Sequence, residues 1–190
     1  MAGVLACKGD NMTSLKGKKI VVLLAKMHDE REFWYPVYRL KEAGATVIIA
    51  GEEAGKQYKG KEGLIAESEK AWSDIKASEL DGIVIPGGFG PDFMRRSKAC
   101  IQLVRETHEQ GKLVAFICHA PWVPISAGIL KGKRATSFPS IKDDVINAGA
   151  EWEDKSMVQD GNLISSRNPD DLPDFMKGIL AYYENQKQKQ

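Results

Sequence analysis

The segment AFICHAPWVPISAG, Ala115 to Gly128, sets a cysteine beside a histidine where an apolar strand runs into a helix. A buried strand has no structural need for that pair. Cys118 occupies the place a nucleophile takes on a strand-to-helix elbow. A helix start carries partial positive charge and unpaired N–H donors, both of which stabilise a thiolate. A thiolate attacks carbonyl carbon, and the adjoining His119 can carry protons. A second unusual strand end, IVIPGGFGPD, exposes backbone N–H groups around Gly87 and Gly88. The amides of Gly88 and His119 can together receive a developing oxyanion.

Such residues converge only if the strand ends converge, and the hydrophobic pattern supplies that. KKIVVLLA (Lys18 to Ala25), TVIIAG (Thr46 to Gly51), DGIVIPGG (Asp81 to Gly88) and GKLVAFIC (Gly111 to Cys118) are apolar throughout, as strands covered on both faces must be. Helical patterns alternate with them. FWYPVYRLKEAG places Phe33, Val37 and Leu40 on one face, with Pro36 expected in the first turn or at a kink. A helix is expected over Pro91 to Gln110, another after Cys118, and another in PSIKDDVINAGAEW after a strand at RATSF. Residues 52 to 75 read as a turn-rich hairpin or extended excursion. Asp160-Gly161 marks a tight hairpin, and DDLPDFMKGILAYYENQ buries Leu172, Phe175, Ile179 and Tyr183 on one helical face. The alternation predicts an α/β, mostly parallel sheet with helices on both faces, and ligands beyond the carboxyl ends of its strands.

Composition excludes other classes. A chain of 190 residues, 43% hydrophobic and 28% charged, fits one globular domain. A net charge of +1 with scattered Lys and Arg offers nothing to nucleic acid. No apolar run nears the roughly 18 residues of a membrane helix. Residues 1–17 are expected to be a flexible leader; VLAC at Val4 to Cys7 lacks the basic start and apolar stretch of a lipoprotein signal. Three cysteines without CxxC favour a reducing compartment, hence the cytoplasm, and Cys100 reads as a small buried hydrophobe. His28, His108 and His119 have no metal-ligand spacing, so no metal or other cofactor is expected. His28 reads as a loop residue overhanging the pocket.

From Lys18 to about Glu184 the chain resembles the ThiJ/PfpI family. Five ordered segments carry the resemblance: DEREFWYPVYRLKEAG, DGIVIPGGFGPD, AFICHAPW, TSFPSIKDDVINAGAEW and SSRNPDDLP. It implies one domain over residues 18–190, a flavodoxin-like (class I glutamine amidotransferase-like) three-layer sandwich, and a reactive Cys118. It also implies a carboxylate after the first strand, matching Glu32, with Asp29 at a second acidic position of that loop. In PfpI-type members a histidine follows the nucleophile, as His119 does. There the triad is completed across a subunit interface by the acid of PGGxxP[E/D], here Asp92. A homo-oligomer, dimer or hexamer, follows from that. Lys61 in KGKEG matches a basic position lining family pockets. The chain departs from the family at Ala120, where ICHGP is common, and at Phe138, where some members carry tyrosine; Trp34 and Trp122 suggest a distinct rim.

An ionised Glu32 beside Cys118 would raise the thiol pKa by repulsion, so to favour a thiolate it must be protonated and donate a hydrogen bond. The expectation is a cysteine-dependent enzyme acting on a small aldehyde or peptide-like substrate, glyoxalase- or deglycase-like or peptidase-like. The rival is a redox sensor or chaperone in which Cys118 is oxidised without turnover. A glutamine amidotransferase would need a histidine far downstream, and none follows His119. GGFGPDF lacks the third glycine of a dinucleotide loop.

Overall fold

The structure is a computed structural model that describes residues 15–187. In chain order its elements are β1 (Lys19–Leu23), α1 (Glu30–Glu42), β2 (Thr46–Gly51), β3 (Gln57–Lys59), β4 (Ile65–Glu67), β5 (Lys70–Ala71) and β6 (Gly82–Ile85). Then come α2 (Gly90–Met94), α3 (Lys98–Glu109), β7 (Leu113–Ile117), α4 (Trp122–Ala127), β8 (Arg134–Ala135) and α5 (Lys142–Asn147). β9 (Glu151–Trp152), β10 (Val158–Asp160), β11 (Leu163–Ser166) and α6 (Leu172–Lys187) complete the fold.

The main sheet has seven strands in the order β10-β11-β7-β6-β1-β2-β5, parallel except for the edge strand β10. Strand alternation divides the interior into two cores. Ile20, Val22 and Leu24 face α1 and α6 through Phe33, Val37, Phe175 and Ile179. Val21, Leu23, Ile83 and Ile85 face the other helical layer through Met94, Val104, Val123 and Val145. This is the three-layer sandwich that the uninterrupted apolar strands predict.

Several local expectations are corrected. The helix expected over Pro91 to Gln110 is two helices, because the chain turns at Arg95 to Ser97 and Ser97 caps α3 by accepting from the Cys100 N–H. The strand at RATSF shrinks to Arg134–Ala135, which pairs with β9 outside the main sheet. The helix after Cys118 begins only at Trp122. Pro36 lies beyond the first turn of α1, buried. Leu15, assigned to the leader from sequence, is fully buried and its N–H donates to the Ala43 carbonyl at 2.9 Å, so the folded region starts before Lys18. The reading of Cys7 lies outside the described residues. Among those described, no helix is long and apolar enough to cross a membrane.

Candidate active site

Cys118 follows β7 directly and has φ = 64°, in the left-handed region that residues with side chains seldom adopt. The turn is pinned on both sides: Cys118 N–H donates to the Ser166 carbonyl at 3.0 Å, and its own carbonyl accepts from Phe138 N–H at 2.9 Å. The parallel pairing of β11 with β7 sets the first bond. The elbow projects the side chain off the strand end while leaving 7% of the residue exposed.

The strand ends of β1 and β6 form the facing wall. Asp29 N–H donates to the Gly87 carbonyl, Phe89 N–H to the Met27 carbonyl, and His28 bridges Gly88 in antiparallel fashion. Gly88 has φ = 72°, and a Cβ there would lie 2.5 Å from the Asp29 nitrogen. At Gly87 a Cβ would fall 2.5 Å from Glu32 Oε2 and 2.7 Å from Cys118 Cβ. Glycine is therefore what lets this loop, the acid of α1 and the cysteine of β7 come together.

Glu32 is fully buried in the first turn of α1. Its Oε2 accepts the Gly87 N–H at 2.8 Å, while Oε1 is buried without a hydrogen bond of ordinary geometry. The Cys118 side chain interacts with this carboxyl, each shifting the titration of the other. Burial, helped by the charge of Asp29, pushes the Glu32 carboxyl up to about 8, against the smaller opposing pull of the Gly87 N–H. At neutral pH it holds its proton.

Around the sulfur, the expected helix start is replaced by individual amides. The N–H groups of Gly88 and His119 are directed at Cys118 and lower its thiol pKa, but burial raises it more, and a charged Glu32 would add to the rise. The thiol is thus not acidified by its position alone. With Glu32 protonated the repulsion disappears, and its O–H becomes a donor beside the sulfur.

His119 Nδ1 lies 3.2 Å from Cys118 Sγ, and Nε2 lies 3.2 Å from Ser140 Oγ. The ring stacks on Phe138 with centroids 5.0 Å apart and meets Trp122 edge-on at 5.4 Å. Burial and the charge of Lys61 hold its pKa below the ordinary histidine value. Trp122 is itself fixed by its indole N–H donating to Asp144 at 2.8 Å.

Asp29 caps α1 by accepting from the Arg31 and Glu32 N–H groups. Its burial would raise the carboxyl, but Arg31 and the Lys61 ammonium, 2.8 Å away, hold it down at about 2. Lys61 thereby sits at the start of α1, and its charge is felt at both Glu32 and His119. Glu30 holds the same loop by accepting from the Glu62 and Leu64 N–H groups at 2.8 and 3.2 Å.

The sequence residues Cys118, His119, Glu32, Gly87, Gly88 and Phe138 are brought together, with Asp29 and Lys61 behind Glu32. Asp92 is not part of this cluster: it is exposed and lines a separate cavity of about 370 Å³ with Met27, Phe89, Phe93 and Trp122. Trp34 stacks on Tyr38 along α1 and packs against the core. His28 does not overhang a pocket: it is fully buried, and Nδ1–H donates to the Ala25 carbonyl at 2.9 Å. Sequence reading missed Ser140 and Glu30. The acid pair flanking Arg31 was a signal for Glu30, whereas Ser140 depends on the tertiary approach of the loop after β8. Among the described residues no cluster of His, Cys, Asp or Glu could hold a metal ion.

A parallel sandwich with a cysteine on a strained elbow after a central strand, facing a protonated acid, defines a cysteine-centred α/β protein. The sequence agrees with the geometry: residues 18–182 match the model of the DJ-1/PfpI family, and this chain belongs to it. It is 42% identical to the deglycase PfpI of Pyrococcus furiosus over 162 residues, covering 85% of this chain and 97% of that one. It is 38% identical to the protein/nucleic acid deglycase 2 of Escherichia coli over 165 residues, 86% of this chain and 96% of that one. A putative cysteine protease of Bacillus subtilis, YraA, is 42% identical over 163 residues, 86% of this chain and 96% of that one. Among solved structures, Drosophila melanogaster DJ-1beta superimposes with a TM-score of 0.82 at 34% identity, covering 87% of this chain and 90% of that one. A two-domain protein from Anabaena variabilis with DJ-1/ThiJ/PfpI-like and ferritin-like domains gives 0.85 at 44% identity, covering 87% of this chain but 48% of that one. The flavodoxin-like sandwich is the architecture of these neighbours.

Proposed function

We propose that this protein is a cysteine-dependent enzyme acting on carbonyl carbon, with small aldehydes and their protein adducts as the favoured substrates. The observation that carries the reading is the Cys118 elbow facing a buried carboxyl that keeps its proton at neutral pH. Relatives named deglycases and a putative cysteine protease support it.

Glu32 and Cys118 titrate as a pair, and loss of one proton from it leaves a single negative charge. Retaining the remaining proton on Glu32 leaves the charge on sulfur, where the Gly88 and His119 amides face it. The thiolate adds to the aldehyde carbon of a dicarbonyl such as methylglyoxal, and the new alkoxide takes a proton to give a hemithioacetal. Transfer of the hydrogen on that carbon to the neighbouring carbonyl, through an enediol, gives a thioester. Water then hydrolyses the thioester to the hydroxy acid and returns the proton to sulfur. His119, within reach of the sulfur and held neutral, moves the protons. With an amide, the same attack releases the amine and leaves an acyl-enzyme. Neither route consumes a cofactor.

Turnover of methylglyoxal beside a fluorogenic peptide, for wild type and Cys118→Ser, tests the reading. Methylglyoxal should be the better substrate, and Cys118→Ser should lose at least about a thousandfold in kcat/KM. No turnover of either, with stoichiometric oxidation of Cys118 by peroxide, would favour the redox sensor instead.

We also propose that two copies associate so that Asp92 reaches the His119 of a neighbour. The apolar walls of its cavity, with Phe89 59% exposed, support an interface there. Light scattering should find an oligomer, and Asp92→Asn should lower kcat. A monomer retaining full activity would remove Asp92 from the mechanism.

A further inference from the structure

A cavity of about 560 Å³ lies away from Cys118. It opens where β1 and β2 end, on the side of the 25–29 segment that faces the β3–β4 hairpin and the start of α3. Its volume lies within the roughly 300–1,000 Å³ of small-molecule sites. Four cations line it, Lys26, Lys56, Lys59 and Arg96, against a single carboxylate, Glu52.

The pairing of these charges is uneven. Lys56 is neutralised by Glu53. Among the described residues Lys26, Lys59 and Arg96 form no ion pair. Lys26 and Arg96 instead share the ring of Phe93, at 4.2 and 5.8 Å from its centroid, so the two cations lie no more than about 10 Å apart. Like charges in one cavity repel, and no ion pair among the described residues offsets these two. Ser97, also on the wall, accepts from the Cys100 N–H through its oxygen and keeps its hydroxyl proton for another acceptor. Such a cavity is complementary to a compact anion with several acceptor oxygens and more than one negative charge.

We propose that this cavity binds a phosphate group, held by Lys26, Lys59 and Arg96 with the Ser97 hydroxyl. The two sources of that chemistry are free phosphate and a small phosphorylated metabolite. The site is independent of the Cys118 chemistry.

The test is titration calorimetry on the full chain with inorganic phosphate, ribose 5-phosphate, and ribose as the uncharged control. Both anions, or the ester alone, should bind one site per chain, more weakly as salt rises, while ribose gives no heat. Equal affinities would identify free phosphate as the ligand, and a tighter ester would identify a phosphorylated metabolite. Lys26→Met with Arg96→Gln should weaken binding by about tenfold or more, and Lys155→Met, a distant charge removal, should leave it unchanged. If the double variant unfolds early, Lys59→Met carries the same test. The proposal is overturned if neither anion gives saturable heat, or if a stably folded variant lacking these cations binds as tightly as wild type.

Discussion

Cys100 and Cys118 are both buried thiols, and burial raises the pKa of each, yet their surroundings differ in every other respect. Cys100 sits in the first turn of α3, fully enclosed, with burial alone acting on it. Cys118 stands on a left-handed elbow beside a protonated carboxyl, two amide N–H groups and an imidazole nitrogen. Burial therefore does not distinguish a packing thiol from a nucleophile. What distinguishes them is whether something nearby stabilises the charged sulfur once the proton leaves. The strained backbone and the two glycines of the facing loop serve that one arrangement.

The sharpest contrast is in reactivity. Iodoacetamide should modify Cys118 about a hundredfold faster than Cys100 in the folded protein, measured by peptide mass spectrometry, since Cys100 reacts only on local opening. Equal rates would collapse the distinction.

The second contrast is in stability. A carboxyl raised from 4.5 to about 8 on folding contributes stability that is fully present below pH 4.5 and lost as pH rises to about 8, up to about 5 kcal/mol altogether. Wild type should lose melting temperature across that window, and Glu32→Gln should flatten the profile and be the more stable protein at pH 8. The same substitution should lower kcat/KM by about 10–100-fold, since the amide cannot exchange a proton with the sulfur. Parallel melting profiles would mean that Glu32 is not held neutral.

The two parts of the molecule were unequally legible in sequence. β1, β6 and β7 could be read because burial on both faces demands an unbroken apolar run, and the Cys-His pair marked the elbow because nothing in a strand end requires it. The break between α2 and α3 was missed because no proline or glycine marks Arg95 to Ser97, although Ser97, the cap of α3, was a local signal for it. The two-residue strands β5 and β9 exist only through their partners and no local pattern announced them, while β8 was read at RATSF but is shorter than its pattern suggests. The positive φ of Cys118 was equally silent, because it is imposed by bonds to Ser166 and Phe138 from distant elements. Burial of His28 depends on the bridge to Gly88, another contact remote in sequence. Glu32 was matched by its position in the loop, but its protonation required the enclosure seen in the folded state.

Absorbance of the thiolate at about 240 nm, followed against pH with Cys7 and Cys100 replaced by serine, tests the pairing of Glu32 with Cys118 most directly. The account predicts a Cys118 thiolate that forms at a pH at least about one unit lower in wild type than in Glu32→Ala. A thiolate that appears only above about pH 10, or a titration that Glu32→Ala leaves in place, would contradict it.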